Sequence, residues 1–460
     1  MFTYTNRTLS SLVILGACVG IASAQATSSK IGATDAGGNF IVSSIVGVPN
    51  SGFSPRIRTV KRDPYGNLLW SKDYSYSSSR DNEPVQIRVD GSGNIYVLGH
   101  SITTANKAAV FLIKYNASGV SQWTKVYSAT SMDSGRASGL ALDTSGNPYY
   151  TLSYVPSLTF PAPFVGHIVK YNTAGTLQVD RTVQPQNTTT LNGIQIDSSN
   201  RVFVAGLVGT GGGYPVSGTL VSRYDTGLNN IWQTIGTMPN GSGVADMTLD
   251  ASGNPDVAYR VYTPADSYYF SSLVREFDAT TGTQSWSTAV ATNGNDGTAG
   301  IIVDASGNAV LGGVESHYVP ATGSVSKVFR LVQFDGTTGT VNFNSSHTPA
   351  YAGSSAAALA QDLSGEYLIA GTNLDPFGTS TLVAYVPVFS STGTSIGYWY
   401  YGPTATTYGF SIVPTTTAGT FYVGGTTYAG TGSNWQPYPV QTRTNQSGLI
   451  WLWYTTITTP

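Results

Sequence analysis

An all-β fold built from one repeated four-stranded unit is predicted by three observations on the 460-residue sequence. A short turn-like phrase returns eight times at near-constant spacing. A second phrase alternates with it. The runs between them are short and alternate apolar with polar residues, the period of half-buried strands.

The first phrase reads TDAGGN at Asp35, VDGSGN at Asp90, LDTSGN at Asp143, IDSSNR at Asp197, LDASGN at Asp250, VDASGN at Asp304 and QDLSGE at Asp362. A decayed TTTAGT around Thr416 completes the series. Successive spacings are 55, 53, 54, 53, 54, 58 and 54 residues. The phrase has the chemistry of a tight turn. Gly307 stands where a hairpin needs positive φ, and Asn200, the next residue to tolerate that conformation, replaces the Gly in the fourth copy. The Asp carboxylate accepts a bond from an N–H two residues on. A cation site is not expected, because each turn offers one carboxylate and the turns of separate units do not converge. Asp304 is therefore expected to contribute only a local turn bond.

The second phrase reads RDPYGNLLW (Arg62–Trp70), YNASGVSQW (Tyr115–Trp123), YNTAGTLQV (Tyr171–Val179) and YDTGLNNIW (Tyr224–Trp232). It continues as FDATTGTQSW (Phe277–Trp286), FDGTTGTVNF (Phe334–Phe343), FSSTGTSIGYW (Phe389–Trp399) and TNQSGLIW (Thr444–Trp451). Runs such as SGLALD, NIYVLGH, FLIKYN and SQWTKVYS lie between the phrases and read as strands. Each unit then holds four strands, a to d, with the first phrase as the a–b turn and the second as the c–d turn. Four antiparallel strands per repeat of this length define a β-propeller blade, and eight copies predict an eight-bladed ring. Trp70, Trp123, Trp232 and Trp286 read as blade packing, since Trp contributes a large buried area.

The two phrases resemble the bacterial seven-bladed β-propeller (SBBP) repeat and, more distantly, the NHL repeat. The resemblance covers nearly all of the chain after the first 24 residues and implies a propeller within a secreted protein. FDATTGTQSW and FDGTTGTVNF also look like the tryptophan-docking motif of quinoprotein dehydrogenases, which implies a quinone, a calcium or lanthanide ion, and commonly an adjacent Cys pair. This chain has one cysteine, Cys18, and no such pair.

Residues 1–24 read as an export signal: Arg7, an apolar run from Leu12 to Ile21, then the small-residue site ASA before Gln25. Residues 25–460 are expected to form a single propeller domain. LGAC (Leu15–Cys18) resembles a lipoprotein box, so a lipid anchor at Cys18 is the alternative to secretion. No later segment is apolar enough to span a membrane. With 24 acidic and 22 basic residues, the chain has no basic field for nucleic acid.

The a–b and c–d turns share one face of the disc. The b–c and d–a connections share the other, where longer loops are expected to carry function. Aromatic residues there suit a glycan or a protein ligand: Tyr154, Tyr268, Tyr318, Trp435 and Tyr438. A second series, Asp81, Asp133, Asn187, Asn240 and Asp296, is expected near the channel mouth, as a polar ring or as loop caps. The chain holds 4 His, and they are scattered without metal-type clustering. No nucleophile elbow, phosphate loop or zincin motif occurs. The expected function is a non-catalytic, secreted binding or surface-interaction module, with no cofactor or metal. The alternative is an extracellular enzyme on the same scaffold, glycan-active or quinone-dependent.

Overall fold

The computed structural model describes residues 27–453, with breaks at 47–55, 77–81, 103–106, 128–133, 157–161, 212–217, 240–241, 264–268, 291–294, 320–323, 350–353, 375–381, 402–405, 416–419, 430–435 and 445–450. The alternating runs form antiparallel strands paired in chain order, a-b-c-d, in successive four-stranded sheets. The sheets are numbered here in chain order. No helix among the described residues is long and apolar enough to cross a membrane.

The expected eight-bladed ring is corrected to seven blades. Backbone pairing defines eight four-stranded sheets, but the complete blade geometry is not repeated eight times. A complete a–b hairpin carries a bulge, where an extra residue bends and twists strand a. That bulge occurs seven times. A complete c–d hairpin carries a bulge beside its turn, also seven times. Strand a of the first sheet is three residues long, Gly32–Thr34, and pairs without the bulge. Strand d of the last sheet is the three-residue Trp451–Trp453, also without it. The deficit is thus shared between the two ends of the chain. Turn phrases overcount blades because a turn survives where the strand behind it is cut short: Asp35 N still bonds Asn39 O at 3.1 Å after the three-residue strand Gly32–Thr34.

Apolar faces of successive sheets bury one another. Tyr96, Leu98 and Leu112 of sheet 2 pack with Leu140, Tyr150, Leu152 and Val169 of sheet 3. The seam closes in the same way, with Phe40 of the first sheet stacked on Tyr422 of the last at 5.0 Å. Tyr422 also donates to Gly38 O at 3.1 Å.

The repeated turns are Asx turns. In the sixth copy, Ser306 N and Asn308 N donate to Asp304 Oδ1 at 2.8 and 2.9 Å, and Gly307 has φ of 84°. Asn200 takes φ of 61° as expected. One c–d turn departs from the pattern: buried Leu228, not Gly227, occupies the left-handed position, with φ of 59°. Asp304 proves to be more than a local turn residue. Its Oδ2 also accepts from Gln333 Nε2 and from Tyr367 OH of the next sheet, both at 2.7 Å.

A latch joins neighbouring sheets beside these turns. Lys61, Lys114, Lys170 and Arg223, each on strand c, donate to the carbonyls of Ala117, Thr173, Thr226 and Ala279 in the next c–d turn. Trp70, Trp123 and Trp232 donate their Nε1 to three of the same carbonyls at 3.1 Å. The tryptophans are therefore packing residues, as expected, and also hydrogen-bond donors. Gly119, with φ of 78°, lets Trp70 approach so closely that a Cβ there would lie 2.6 Å from the indole.

The first strands of several sheets are tied together by residues 27–30. Thr27 Oγ1 donates to Ile412 O at 2.8 Å, and Thr27 bridges Ala360. Ser28 N donates to Leu359 O at 2.8 Å, and Leu359 N returns a bond to Ser28 Oγ at 2.8 Å. Lys30 Nζ lies 3.7 Å from Asp246 Oδ1, while Lys30 O accepts from Ile87 N at 2.7 Å. Residues 27–30 thereby touch sheets 2, 5, 7 and 8 in four steps, like an axle.

Candidate functional site

Strand direction places the start of strand a, the end of strand b and the start of strand c on one face. On that face a cleft of 240 Å³ opens where sheets 5, 6 and 7 meet. Arg260 reaches it from the end of strand b in sheet 5 (Pro255–Thr263), and Ser316 from strand b of sheet 6 (Ala309–Val319). Lys327 comes from strand c of sheet 6 (Ser324–Phe334), and Ser354 and Ser355 from the start of strand a in sheet 7. Thr298 lies on the floor, with its buried Oγ1 lacking a hydrogen-bond partner.

Two cations and several hydroxyls thus converge on a space large enough for one sugar unit or one acidic group. The Arg260 guanidinium is braced over the Phe270 ring at 3.6 Å, and Lys327 Nζ donates to Ser354 O at 3.2 Å. Glu315, 7% exposed, pairs with Arg330 at 3.2 Å on the neighbouring strand. A 20 Å³ cavity that includes Arg330 shares Gly297, Thr298 and Val314 with the cleft. Among the described lining residues the charged side chains are Arg260 and Lys327, which suits a carboxylate or sulfate.

The residues expected from sequence fall elsewhere or outside the described residues. Tyr154, half-buried on strand b of sheet 3, stacks on His167 with centroids 5.2 Å apart. Asn187 is exposed, and its carbonyl accepts from Gln184 Nε2 at 2.8 Å, which folds its own loop. Tyr268, Trp435, Asp81, Asp133, Asn240 and Cys18 lie outside the described residues. Tyr318, Tyr438 and Asp296 lie on strands, but their side chains are outside the described set. The Asp296 backbone is opposite Glu315 in the ladder, one residue from the cleft-lining Gly297.

Other acidic groups belong to separate pairs. Asp246 sits in the channel; burial holds its carboxyl above the usual range, against Lys30, a bond from Ile301 N, and Arg88. Burial pushes the Arg88 guanidinium down to about 10, with Asp246 opposing. His100 Nε2 pairs with Glu83 at 3.2 Å, which holds that carboxyl low. His167 Nδ1 lies 2.8 Å from Asp180, which also accepts from Tyr127 OH at 3.1 Å. These pairs do not converge on the cleft.

Sequence reasoning missed Arg260 and Lys327. Both stand on strands whose alternation is regular, so no motif marks them. A cation on a strand end facing the loop side was the available signal.

No family model matches this chain, and no curated protein matches it. Solved structures are similar in fold. The β-propeller domain of the Trilobed protease from Pyrococcus furiosus is 10% identical, covering 82% of this chain and 99% of that one, with a TM-score of 0.43. A polysaccharide lyase is 10% identical, covering 78% of this chain and 89% of that one, with a TM-score of 0.46. Puromycin hydrolase is 11% identical, covering 90% of this chain but 60% of that one, with a TM-score of 0.47. At these identities the likeness is one of fold alone.

Proposed function

We propose that this chain is an exported propeller, related to the SBBP repeat proteins, that binds a ligand through its b–c and d–a loop face without catalysis. A glycan carrying carboxylate or sulfate groups is the favoured ligand. The observation that carries this reading is the cleft between sheets 5, 6 and 7. Arg260 and Lys327 face hydroxyls of Ser316, Ser354 and Thr298 there, with the neighbouring Glu315 already paired to Arg330. Guanidinium and ammonium groups recognise acidic groups, and hydroxyls recognise sugar hydroxyls. Tyr268, Tyr318, Trp435 and Tyr438 are the aromatic residues from which a stacking contact to a sugar would come.

The test is an array of neutral, uronate-bearing and sulfated glycans with the full chain. Acidic glycans should bind, more weakly at high salt. Arg260→Met and Lys327→Met should each weaken binding by about tenfold or more, on the scale of a lost charge-assisted bond. Binding that is indifferent to both changes, or confined to neutral glycans, would sink the reading.

A further inference from the structure

In sheets 1 to 4 the protein's own cation occupies one recurring place beside the neighbouring c–d turn. Lys61, Lys114, Lys170 and Arg223 fill it, bonding turn carbonyls at 3.0, 2.9, 2.9 and 3.2 Å. In sheet 5 the same register position holds Glu276. The residue opposite it on strand b is Tyr96 in sheet 2 and Tyr149 in sheet 3, each under the lysine. In sheet 5 that residue is Asp256. Two acids therefore stand where other sheets place an aromatic ring and an ammonium.

These acids are buried, and each keeps one carboxylate oxygen without a partner. Asp256 is 1% exposed and Glu276 5%, and Asp256 Oδ1 and Glu276 Oε2 have no hydrogen-bond partner. Cross-strand pairing puts the two side chains on one face of the sheet. Asp250 is close enough to repel both, but its oxygens serve the turn, accepting from Ser252 N, Asn254 N and Asn254 Nδ2. Arg201, the cation that reaches this turn, is committed to Asp197 and to Ser252 O. Trp286 Nε1 is turned from the latch carbonyl its counterparts use and, with Ser285, lies close enough to Glu276 to lower that carboxyl against the effect of burial.

We propose that sheet 5 binds a hard cation of the Ca²⁺ class where sheets 1 to 3 carry a lysine ammonium. Asp256 and Glu276 supply the carboxylate oxygens, and main-chain and water oxygens complete the shell. Among the described residues no three His, Cys, Asp or Glu side chains form a metal group, so affinity is of the weak extracellular kind, about 10⁻⁴–10⁻³ M. The competing account is that the two carboxyls share a proton and hold no ion.

The experiment uses the full chain freed of metal, with CaCl₂ and Tb³⁺ as probes at pH 7.5. At 10 mM Ca²⁺ the folding equilibrium should shift by about tenfold, and Tb³⁺ emission should be sensitised by Trp286 excitation. Glu276→Lys should lose both responses while remaining folded, because lysine fills that position in sheets 1 to 3. Asp256→Asn, which keeps the shape, should weaken both by at least tenfold. No Ca²⁺ response in the wild type would overturn the proposal. So would a response that is the same in both variants, which places the ion elsewhere.

Discussion

Sheets 2 and 5 share a register, a turn and a tryptophan, yet their charges are reversed at one point. Lys114 spans from sheet 2 to Thr173 O and lies over Tyr96, with its ammonium centre 5.2 Å from the ring. Asp256 and Glu276 replace that pair in sheet 5 and leave two acceptor oxygens without donors. Sheet 6 takes a third course, with neutral Gln333 bonding both Asp304 and Tyr367. Packing and turn geometry therefore hold the ring together even where the latch changes sign. The latch is a local addition to a fold specified by other means, and local additions are open to substitution.

The strongest way to break the comparison is to give sheet 2 the chemistry of sheet 5. Lys114→Glu removes the donor to Thr173 O and places a carboxylate near Asp90. A buried charge left without its partner costs about 3–5 kcal/mol. Urea unfolding should show a loss of that order, and a loss below about 1 kcal/mol would mean the latch is dispensable.

The reverse change sharpens it. Glu276→Lys should stabilise the chelated protein by about 1–3 kcal/mol, the scale of a hydrogen bond to a charged group. The pH dependence carries the same information. Burial, then repulsion from Glu276 and Asp250, raises Asp256 in the folded state; burial, then repulsion from Asp250, raises Glu276, with Trp286 and Ser285 opposing. Stability from such groups is fully present below the unfolded carboxylate range and is lost as pH rises through the raised value. In chelator, acidifying from pH 7.5 to 5 should therefore stabilise the wild type relative to Asp256→Asn. Asp35, Asp63 and Asp225 are lowered instead, so their contribution is lost only below that window. A difference that stays flat from pH 7.5 to 5 would remove the pair from the account.

A smaller effect separates turn from bridge. A Cβ at Gly307 meets no atom within 4 Å, so the main cost of Gly307→Val is the strain at φ of 84°, about 1–3 kcal/mol. Asp304→Ala loses the turn bonds and also strands Gln333 and Tyr367, for about 2–4 kcal/mol. Asp304→Ala should thus lower the thermal midpoint as much as Gly307→Val or more, the reverse of what a purely local turn implies. The smallest effect is expected at Leu228: Leu228→Gly relieves the left-handed strain but loses buried contacts, for a net change of about 1 kcal/mol or less.

The strands, their pairing order and the Asx turns were legible because alternation and turn chemistry are local. The number of blades was not, because counting turns says nothing about how long the strands at Gly32 and Trp451 are. The latch left a trace that counting the phrase passes over: Lys61, Lys114, Lys170 and Arg223 each precede its opening pair of residues or fall just before it, and Glu276 and Gln333 break that run. Arg260 and Lys327 left only the trace of a cation at a strand end on the loop side, since the cleft exists only once three sheets are side by side. Of the expected aromatic set, Tyr154 has its side chain described, and it is committed to His167.

The axle of residues 27–30 constrains the order of folding. Thr27 bonds Ile412 across 385 residues, and Ser28 bonds Leu359 across 331. The first residues of the ring therefore find their partners only after almost the whole chain has been synthesised. Loop closure over such separations is slow, and contacts this distant in sequence raise contact order. Early sheets can stack on their neighbours while the hub stays unmade. Ring closure and hub insertion then become one late event, and a bulky group fused at residue 27 should slow refolding more than the same group at the opposite end.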